Sequence, residues 1–245
     1  RANYRFDDKF LFTLTGRADG SSRLAEGNKW AFFPAFSAGY ILSEEELLQD
    51  SKISFLKVRG GYGEVGNTAI DAYQTLGGLS RTTYIFGSTA AFGYANSLIP
   101  NPDLKWEISK TINLGVDYGL FEDRINGSLE YYITNTSNLL LNRLLPITSG
   151  YNSVLQNIGS TRNSGWELSV NANIINRPAG LKWDVNMNVF SNKEQITELF
   201  DGESDDVGNS WFIGEPINVF YSFEQGGIWQ TNEADLAADN GQQPG

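Results

Sequence analysis

The stretch "KWDVNMNVFSN", residues 182–192, alternates between two kinds of side chain. Trp183, Val185, Met187 and Val189 share one parity, whereas lysine, aspartate and asparagine residues occupy most of the other. A period of two predicts a β-strand with one apolar face and one polar face. The fold therefore depends on which medium each face contacts.

The same period of two recurs along most of the chain, in segments bounded by turn-forming residues. The segments are "FLFTLTGRAD" (10–19), "WAFFPAFSAGYIL" (30–42), "FLKVRGGYGEV" (55–65), "KWEISKTINLGVDYGLF" (105–121), "INGSLEYYITN" (125–135) and "GWELSVNANII" (165–175). Together with the opening stretch they predict an all-β, antiparallel chain of about eight strands.

The connections between these strands alternate in length. Short turns are predicted at residues 7–9, 121–124 and 176–180. Long loops rich in Gly, Ser and Asn are predicted at residues 19–29, 66–103 and 142–163. We therefore expect one end of the sheet to carry tight turns and the other end to carry long loops.

Strand length and aromatic placement separate a membrane sheet from a soluble one. Strands of soluble sheets usually run about 5 or 6 residues, whereas those ending at Leu42, Tyr118 and Asn192 keep their pattern for roughly 11 to 14. At a tilt near 45°, a strand of about 13 residues rises about 30 Å, which crosses the hydrocarbon of a bilayer. Aromatic residues near both ends of the apolar parity are typical of the girdles of a transmembrane β-barrel.

The two parities are therefore assigned to lipid and to a water-filled lumen. The residues predicted to face lipid are Trp30, Tyr40, Trp106, Tyr118, Trp166, Trp183 and Val185. The residues predicted to face the lumen are Lys57, Arg59, Glu107, Asn113, Asp117, Glu130, Asn171, Asp184 and Asn186. Lys110 falls on the apolar parity, and we expect it near the top of the apolar band, where its ammonium group can reach water.

Composition excludes several classes of function. The chain contains no Cys and no His, which removes disulfides, thiolate or imidazole metal sites and Ser-His-Asp catalysis. Its 18 basic and 29 acidic residues give a net charge of −11, and no basic run is present to bind nucleic acid. No segment approaches the roughly 18 apolar residues of a membrane-spanning helix. We expect neither enzymatic activity nor a cofactor or metal site.

Several segments, in this order, resemble the later barrel strands of the SusC/RagA family of TonB-dependent outer-membrane transporters. The matching segments are "FLFTLTGRADGSSR" (10–23), "WAFFPAFSAGYILSEE" (30–45), "LKVRGGYGEVGN" (56–67), "NPDLKWEISKTINLGVDYGLFEDRINGSLEYY" (101–132), "NIGSTRNSGWELSVNANI" (157–174), "KWDVNMNVFSNKEQITEL" (182–199) and "GEPINVFYSFEQGGIWQ" (214–230). The resemblance covers nearly the whole chain, and its specificity lies in the ordered combination of segments.

The resemblance implies an outer-membrane barrel of about 22 strands that encloses a plug domain. It also implies energy coupling through a TonB box, a SusD-like lipoprotein as a lid, and import of oligosaccharides or sometimes peptides by a Gram-negative bacterium. No segment corresponds to the plug or to the TonB box. The chain begins at Arg1 and its one methionine is Met187, so we interpret residues 1–245 as a single barrel domain truncated at both ends.

Aromatic residues in the long loops are the candidates for ligand binding, because aromatic rings stack on sugar faces. They are Tyr73, Tyr84, Tyr94 and Trp211.

The segment "DGESDD", residues 201–206, has oxygen ligands at alternate positions but lacks the downstream Glu of an EF-hand. We interpret it as a solvated acidic loop.

Two alternative functions fit the same pattern. One is a TonB-dependent receptor for siderophores, against which the net charge of −11 argues. The other is a soluble β-sandwich that acts as a carbohydrate-binding module or adhesin, since such a sandwich also alternates apolar and polar residues. The sandwich would bury Trp106 and Trp183, whereas the membrane sheet would expose its apolar face to lipid.

Overall fold

One large antiparallel sheet organises the chain in a computed structural model, which describes residues 1–48, 51–177, 180–200, 202, 204–224 and 227–241. The strands are β1 (Ala2–Phe6), β2 (Phe10–Gly20), β3 (Trp30–Ile41), β4 (Ile53–Asn67), β5 (Gly78–Phe86), β6 (Thr89–Leu98), β7 (Glu107–Leu120), β8 (Ile125–Ser137), β9 (Leu140–Leu144), β10 (Ser153–Asn157), β11 (Ser160–Asn176) and β12 (Lys182–Glu198). Eight of them form the large sheet in the order β1-β2-β3-β4-β7-β8-β11-β12. The predicted all-β class and antiparallel arrangement are confirmed.

The long strands have the length that the alternating pattern predicts. Strands β11 and β12 contain 17 residues each, β4 contains 15 and β7 contains 14. The sheet does not close on itself, because β1 and β12 lie at its two edges. This is the geometry of a segment of barrel wall.

The two ends of the sheet differ as expected. Short connections of three to five residues join β1 to β2, β7 to β8 and β11 to β12. In the β7–β8 turn, Phe121, Glu122 and Asp123 all have positive φ angles of 55°, 57° and 61°. The opposite end contains structure that the sequence did not predict, since the loops expected at 66–103 and 142–163 hold the hairpins β5–β6 and β9–β10.

Register gives each face of the sheet a distinct composition. Residues paired across neighbouring antiparallel strands point to the same side. One lateral row consists of Val58, Val116, Leu129, Leu168 and Val189. The adjacent row, on the other side, consists of Arg59, Gly115, Glu130, Glu167 and Phe190. We call the side of Val58 the apolar face and the side of Arg59 the polar face.

A cluster of buried apolar residues lies in the long loops. Leu24, Ile70 and Leu104 are buried together, with Trp106, Leu140 and Leu155 packed against them. We call this group the loop core. By contrast, the apolar face is open, with Leu114 57% and Trp183 54% exposed. A soluble sandwich would bury such residues beneath a second sheet, so this exposure argues against that alternative.

The helical elements are short. A helix α1 spans Ala234–Asp239, and 3-10 turns span Leu42–Glu44, Glu46–Leu48, Gln74–Leu76, Ile147–Ser149, Val207–Asn209 and Thr231–Glu233. Within the described part of the chain, none of the helices has the length and apolarity to span a membrane.

Candidate functional site

Four charged side chains on the polar face of β4, β7 and β8 form one network. Lys57 donates from Nζ to Oδ2 of Asp117 over 3.1 Å. Arg59 donates from Nε to Oδ1 of Asp117 over 3.1 Å and from Nη2 to Oε1 of Glu130 over 2.5 Å. All four residues were predicted to face the lumen, and the structure brings them together.

A glycine explains how Arg59 reaches two strands away. Arg59 pairs with Gly115 on β7, and Gly115 pairs with Glu130 on β8. A Cβ atom at Gly115 would lie 2.8 Å from Cζ of Arg59. The guanidinium group therefore crosses β7 over the position where any other residue would have a side chain.

Asn113 completes the network by contacting both Arg59 and Glu130. Its Oδ1 accepts from Nη1 of Arg59 over 3.2 Å, and its Nδ2 donates to Oε2 of Glu130 over 3.1 Å. The charged side chains remain 24% to 29% exposed. The network is neutral overall, and its geometry fixes the guanidinium plane with hydrogen bonds on both edges.

A groove of about 350 Å³ adjoins this network on the polar face. The residues that line it include Gly39, Gly61, Lys57, Arg59 and Asn113. Such a groove can accept polar groups through ammonium, guanidinium and amide donors. Within the described residues, no group of three or more acidic side chains is placed to hold a metal ion.

The remaining residues predicted to face the lumen also lie on the polar face, outside the network. Glu107 accepts from Nδ2 of Asn67 over 3.4 Å, and Asn171 donates to Oδ1 of Asn126 over 3.2 Å. Asn186 is the register partner of Asn171, and Asp184 pairs with Asn173. The face assignment from parity therefore agrees with the register.

Most residues predicted to face lipid lie on the apolar face. Tyr40 stacks on Phe10 with ring centroids 4.6 Å apart, and Tyr118 donates to the carbonyl oxygen of Ser169 over 3.2 Å. The exposed members of this set are Trp30, Trp166, Trp183 and Val185, at 75%, 40%, 54% and 38%.

Trp106 is placed differently from the prediction. Strand β7 begins at Glu107, one residue later, and Trp106 packs into the loop core. Its ring meets Phe33 edge-on with centroids 5.5 Å apart, and its Nε1 donates to the carbonyl oxygen of Lys29 over 3.3 Å. The alternating pattern continues through Trp106 because this residue is apolar, so the predicted strand begins earlier than the observed one. The ring of Trp106 packs against the loop core instead.

The loop aromatics predicted to bind ligand lie in separate places. Tyr84 and Tyr94 belong to the hairpin β5–β6 but lie on opposite faces of it. Tyr94 pairs with Arg81, which is three residues from Tyr84 on β5 and therefore points to the other side. Tyr73 lies in a turn with a positive φ of 65° and is 77% exposed. Trp211 lines a different cavity.

The cavity beside Trp211 has a volume of about 320 Å³. Arg143 of β9 lies over the ring of Phe200 at 3.3 Å and lines the same cavity, as do Asp205 and Asp206. The sequence did not single out Arg143 or Phe200, because their proximity depends on the β9–β10 hairpin. Asp201 and Glu203 of the predicted acidic loop lie outside the described residues.

At the short-turn end, Glu45 links the β1–β2 turn to β3. It accepts from the Tyr40 hydroxyl over 2.6 Å and from Nζ of Lys9 over 3.0 Å. Hydrogen bonds from Tyr40 and then from Lys9 lower the pKa of the Glu45 carboxyl. The hydrogen bond to Glu45 also raises the pKa of Lys9.

Comparison with known proteins places this two-faced sheet in a family. The family described as TonB dependent receptor-like, beta-barrel matches residues 1–232. The chain belongs to the TonB-dependent receptor β-barrel family. The predicted resemblance is thereby confirmed.

Relatives of this TonB-dependent receptor barrel extend well beyond the chain. TonB-dependent receptor P3 of Formosa agariphila is 37% identical over 243 residues, covering 94% of this chain and 24% of the relative. TonB-dependent receptor SusC of Bacteroides thetaiotaomicron is 36% identical over 250 residues, covering 92% of this chain and 24% of SusC. The chain thus spans about a quarter of the length of these relatives.

The fold also matches solved structures. The RagAB peptide importer in its closed-closed state superposes with a TM-score of 0.78 at 28% identity, covering 87% of this chain and 24% of the other. Its open-open state gives a TM-score of 0.76 at 30% identity, with the same coverage.

Proposed function

We propose that residues 1–245 form part of the barrel domain of an outer-membrane importer in a Gram-negative bacterium. The importer takes up oligosaccharides or peptides together with a SusD-like lipoprotein, and it is energised by TonB through regions outside this chain. In this proposal the apolar face contacts membrane lipid and the polar face lines the lumen.

The two-faced sheet is the observation that carries the proposal. Long strands expose an apolar face and carry charged, hydrogen-bonded residues on the opposite face. A lipid-facing band with a polar interior is the design of a transmembrane barrel. Family membership supports the same interpretation, and the RagAB structures that the fold matches are those of a peptide importer.

Ligand contacts are assigned to the long-loop end and to the polar face. Trp211 with Arg143 offers an aromatic ring beside a guanidinium group, which suits a sugar ring or a peptide carboxylate. Tyr73, Tyr84 and Tyr94 are exposed in the loops and can contact ligand or the lipoprotein lid. The groove beside Arg59 then contacts polar groups deeper in the lumen.

The test uses the full-length protein in its own host. The gene is deleted and then restored, the membranes are fractionated, and uptake of fluorescently labelled oligosaccharides and peptides is measured with and without a protonophore. We expect the protein in the outer membrane, loss of uptake of one ligand class on deletion, and loss of the restored uptake with the protonophore. Trp211→Ala should reduce uptake, whereas Phe121→Ala, at the opposite end of the sheet, should not.

Two results would contradict the proposal. One is a full-length protein that fractionates as a soluble component. The other is uptake of both ligand classes that is unchanged by deletion. The class of ligand whose uptake is lost would decide between oligosaccharide and peptide.

A further inference from the structure

The charged residues on the apolar face are confined to one end of it. Across β4, β7, β8, β11 and β12, a single lateral row contains Glu64, Lys110, Asn135, Arg162 and Gln195. Lys193 pairs with Ser164 and belongs to the next row on the same face, two residues along each strand. We call Lys110, Arg162 and Lys193 the basic belt.

The basic belt lies near the long-loop end of its strands. Lys110 is ten residues from the end of β7 at Leu120, Lys193 is eleven from the start of β12 at Lys182, and Arg162 is fourteen from the end of β11 at Asn176. At about 3.3 Å per residue and a tilt near 45°, ten to fourteen residues rise about 23–33 Å, which is at or just above the top of an apolar band about 25 Å tall. The belt therefore lies at the headgroup level on the long-loop side, which is the extracellular side of such barrels.

Two of the belt cations differ from the third in their surroundings. Among the residues that the structure describes, neither Arg162 nor Lys193 forms an ion pair. Arg162 donates from Nε to Oδ1 of Asn135 over 2.9 Å, which leaves its other nitrogens available. Lys110 lies 3.7 Å from Glu64. Both unpaired cations are exposed.

One further carboxylate lies beyond the belt. Glu198 reaches this face through a register shift and accepts from the Ser160 hydroxyl over 3.3 Å. Arg162 and Lys193 occupy diagonal positions on adjacent strands, about 7–8 Å apart at their Cα atoms. One anionic group can therefore contact both side chains.

An apolar groove of about 380 Å³ lies on the same face beneath the belt. Val58, Leu114, Leu129, Tyr131 and Trp166 line it. Trp166 lies four residues below Arg162 on β11, and Leu114 lies four residues below Lys110 on β7. The groove therefore lies on the same strands as the basic belt, on its short-turn side.

We propose that the basic belt and this groove form a binding site for a phosphorylated glycolipid of the outer leaflet. Its phosphate contacts Arg162 and Lys193, with Lys110 at the margin, and one acyl chain lies in the groove against Trp166. The net charge of −11 makes general attraction of anions unfavourable, so the contact depends on the local arrangement of these cations. The inference rests on the membrane location given in the proposed function.

The experiment measures lipid retention by the full-length protein in detergent, using native mass spectrometry. The probes are bisphosphorylated lipid A, its dephosphorylated form and inorganic phosphate. Removal of a surface cation should weaken binding about fivefold. The double variant Arg162→Gln with Lys193→Gln should therefore bind bisphosphorylated lipid A about 25-fold more weakly. Val116→Phe, which fills the groove without changing charge, should weaken it as well.

The matched control removes one Arg and one Lys from the opposite ends of the same two strands. Arg177→Gln with Lys182→Gln has the same net charge as the belt variant, and both residues are exposed at the short-turn end. We expect this control to retain lipid A as the unaltered protein does. Each protein is first shown to be folded and in the outer membrane, so failure of the membrane proposal would be seen separately.

Three outcomes would overturn the inference. Equal retention of lipid A by the belt variant and the control would show that these cations do not bind it. Equal retention of lipid A and of its dephosphorylated form would show that apolar contacts alone hold the lipid. Displacement of lipid A by inorganic phosphate at the same concentration would identify a site for free anions.

Discussion

The two faces of the large sheet are built from the same strands, yet they hold their charges differently. On the polar face, Lys57, Arg59, Asp117 and Glu130 meet at mid-strand in one hydrogen-bonded network. On the apolar face the corresponding rows are aliphatic and aromatic, and charged residues occur only near the long-loop end. On the apolar face, a charged residue is therefore tolerated only near one end of a strand. On the polar face, charged residues are also tolerated at mid-strand.

This difference is expected if one face of the sheet contacts hydrocarbon and the other contacts water. A charge facing hydrocarbon has no solvent and must reach the headgroups. A charge facing a lumen can be placed at any depth if water or an opposite charge is nearby. The comparison can be tested by moving charges from one face to the other.

The largest effect is expected for a charge placed at the middle of the apolar face. Leu129→Arg replaces a residue of the central aliphatic row. A cation at the middle of the bilayer costs about 2–4 kcal/mol. We expect the full-length protein to unfold at lower urea concentration in lipid vesicles, or to fail to assemble.

The control places the same cation one residue away, on the polar face. Ser128→Arg lies opposite Asp117 in the register, so the new guanidinium group has a carboxylate partner. We expect its free energy of unfolding to stay within about 1 kcal/mol of the unaltered protein. Equal damage by Leu129→Arg and Ser128→Arg would contradict the assignment of the two faces.

The next effect concerns the network itself. Arg59→Met leaves Glu130 with Asn113 as its partner and should reduce the free energy of unfolding by about 1–3 kcal/mol. Arg17→Met is the control, because Arg17 also forms an ion pair on the polar face but is 58% exposed and should cost at most about 1 kcal/mol.

A double-mutant cycle separates pairing from packing. Combining Arg59→Met with Glu130→Gln removes both charges of the Arg59–Glu130 ion pair. The double variant should be more stable than the sum of the two single changes predicts, by about 0.5–3 kcal/mol. Strict additivity would show that the two side chains are close without stabilising each other.

Gly115 gives a smaller and more specific effect. Gly115→Ala adds a Cβ atom 2.8 Å from Cζ of Arg59 and should displace the guanidinium group, at a cost of about 1 kcal/mol. The loss should disappear when Arg59→Met is already present. Gly63→Ala is the control, since a Cβ there would meet Ala35 at an ordinary 3.5 Å.

The faces could be predicted from the sequence because they depend on local alternation. Every residue assigned to the lumen lies on the polar face, since side chains of one strand alternate whatever the strand pairs with. The network could not be predicted, because it depends on which residues become lateral neighbours. Arg59 reaches Glu130 only through a particular register and a glycine between them.

The long-loop end was predicted least well. The hairpin β9–β10 has strands of only five residues each, and Arg143 and Leu144 of β9 line the same cavity as Trp211. Trp106 was assigned to the apolar face, although the loop core formed by Leu24, Ile70 and Leu104 provides a better packing site. Such contacts join segments distant in sequence, and periodicity carries no information about them.

The smallest expected effect lies at the short-turn end, where one carboxylate holds a turn against a strand. Glu45 accepts hydrogen bonds from Tyr40 and Lys9, and its pKa is lowered in the folded protein. A carboxyl whose folded pKa is lowered stabilises the protein above its unfolded pKa of about 4.3 and loses that contribution as the pH falls through the folded value. Lys9, whose folded pKa is raised, contributes below its unfolded pKa of about 10.4 and loses its contribution as the pH rises above it.

Glu45→Gln should therefore flatten the pH dependence of stability at both limits, because one contact is responsible for both shifts. The measurement is the urea midpoint of the full-length protein in lipid vesicles between acidic and alkaline pH. Glu46→Gln changes the same charge in the adjacent 3-10 turn and should keep the original slopes. If both variants lose the acid slope equally, the effect comes from the net charge of this end of the protein rather than from the contact with Lys9 and Tyr40.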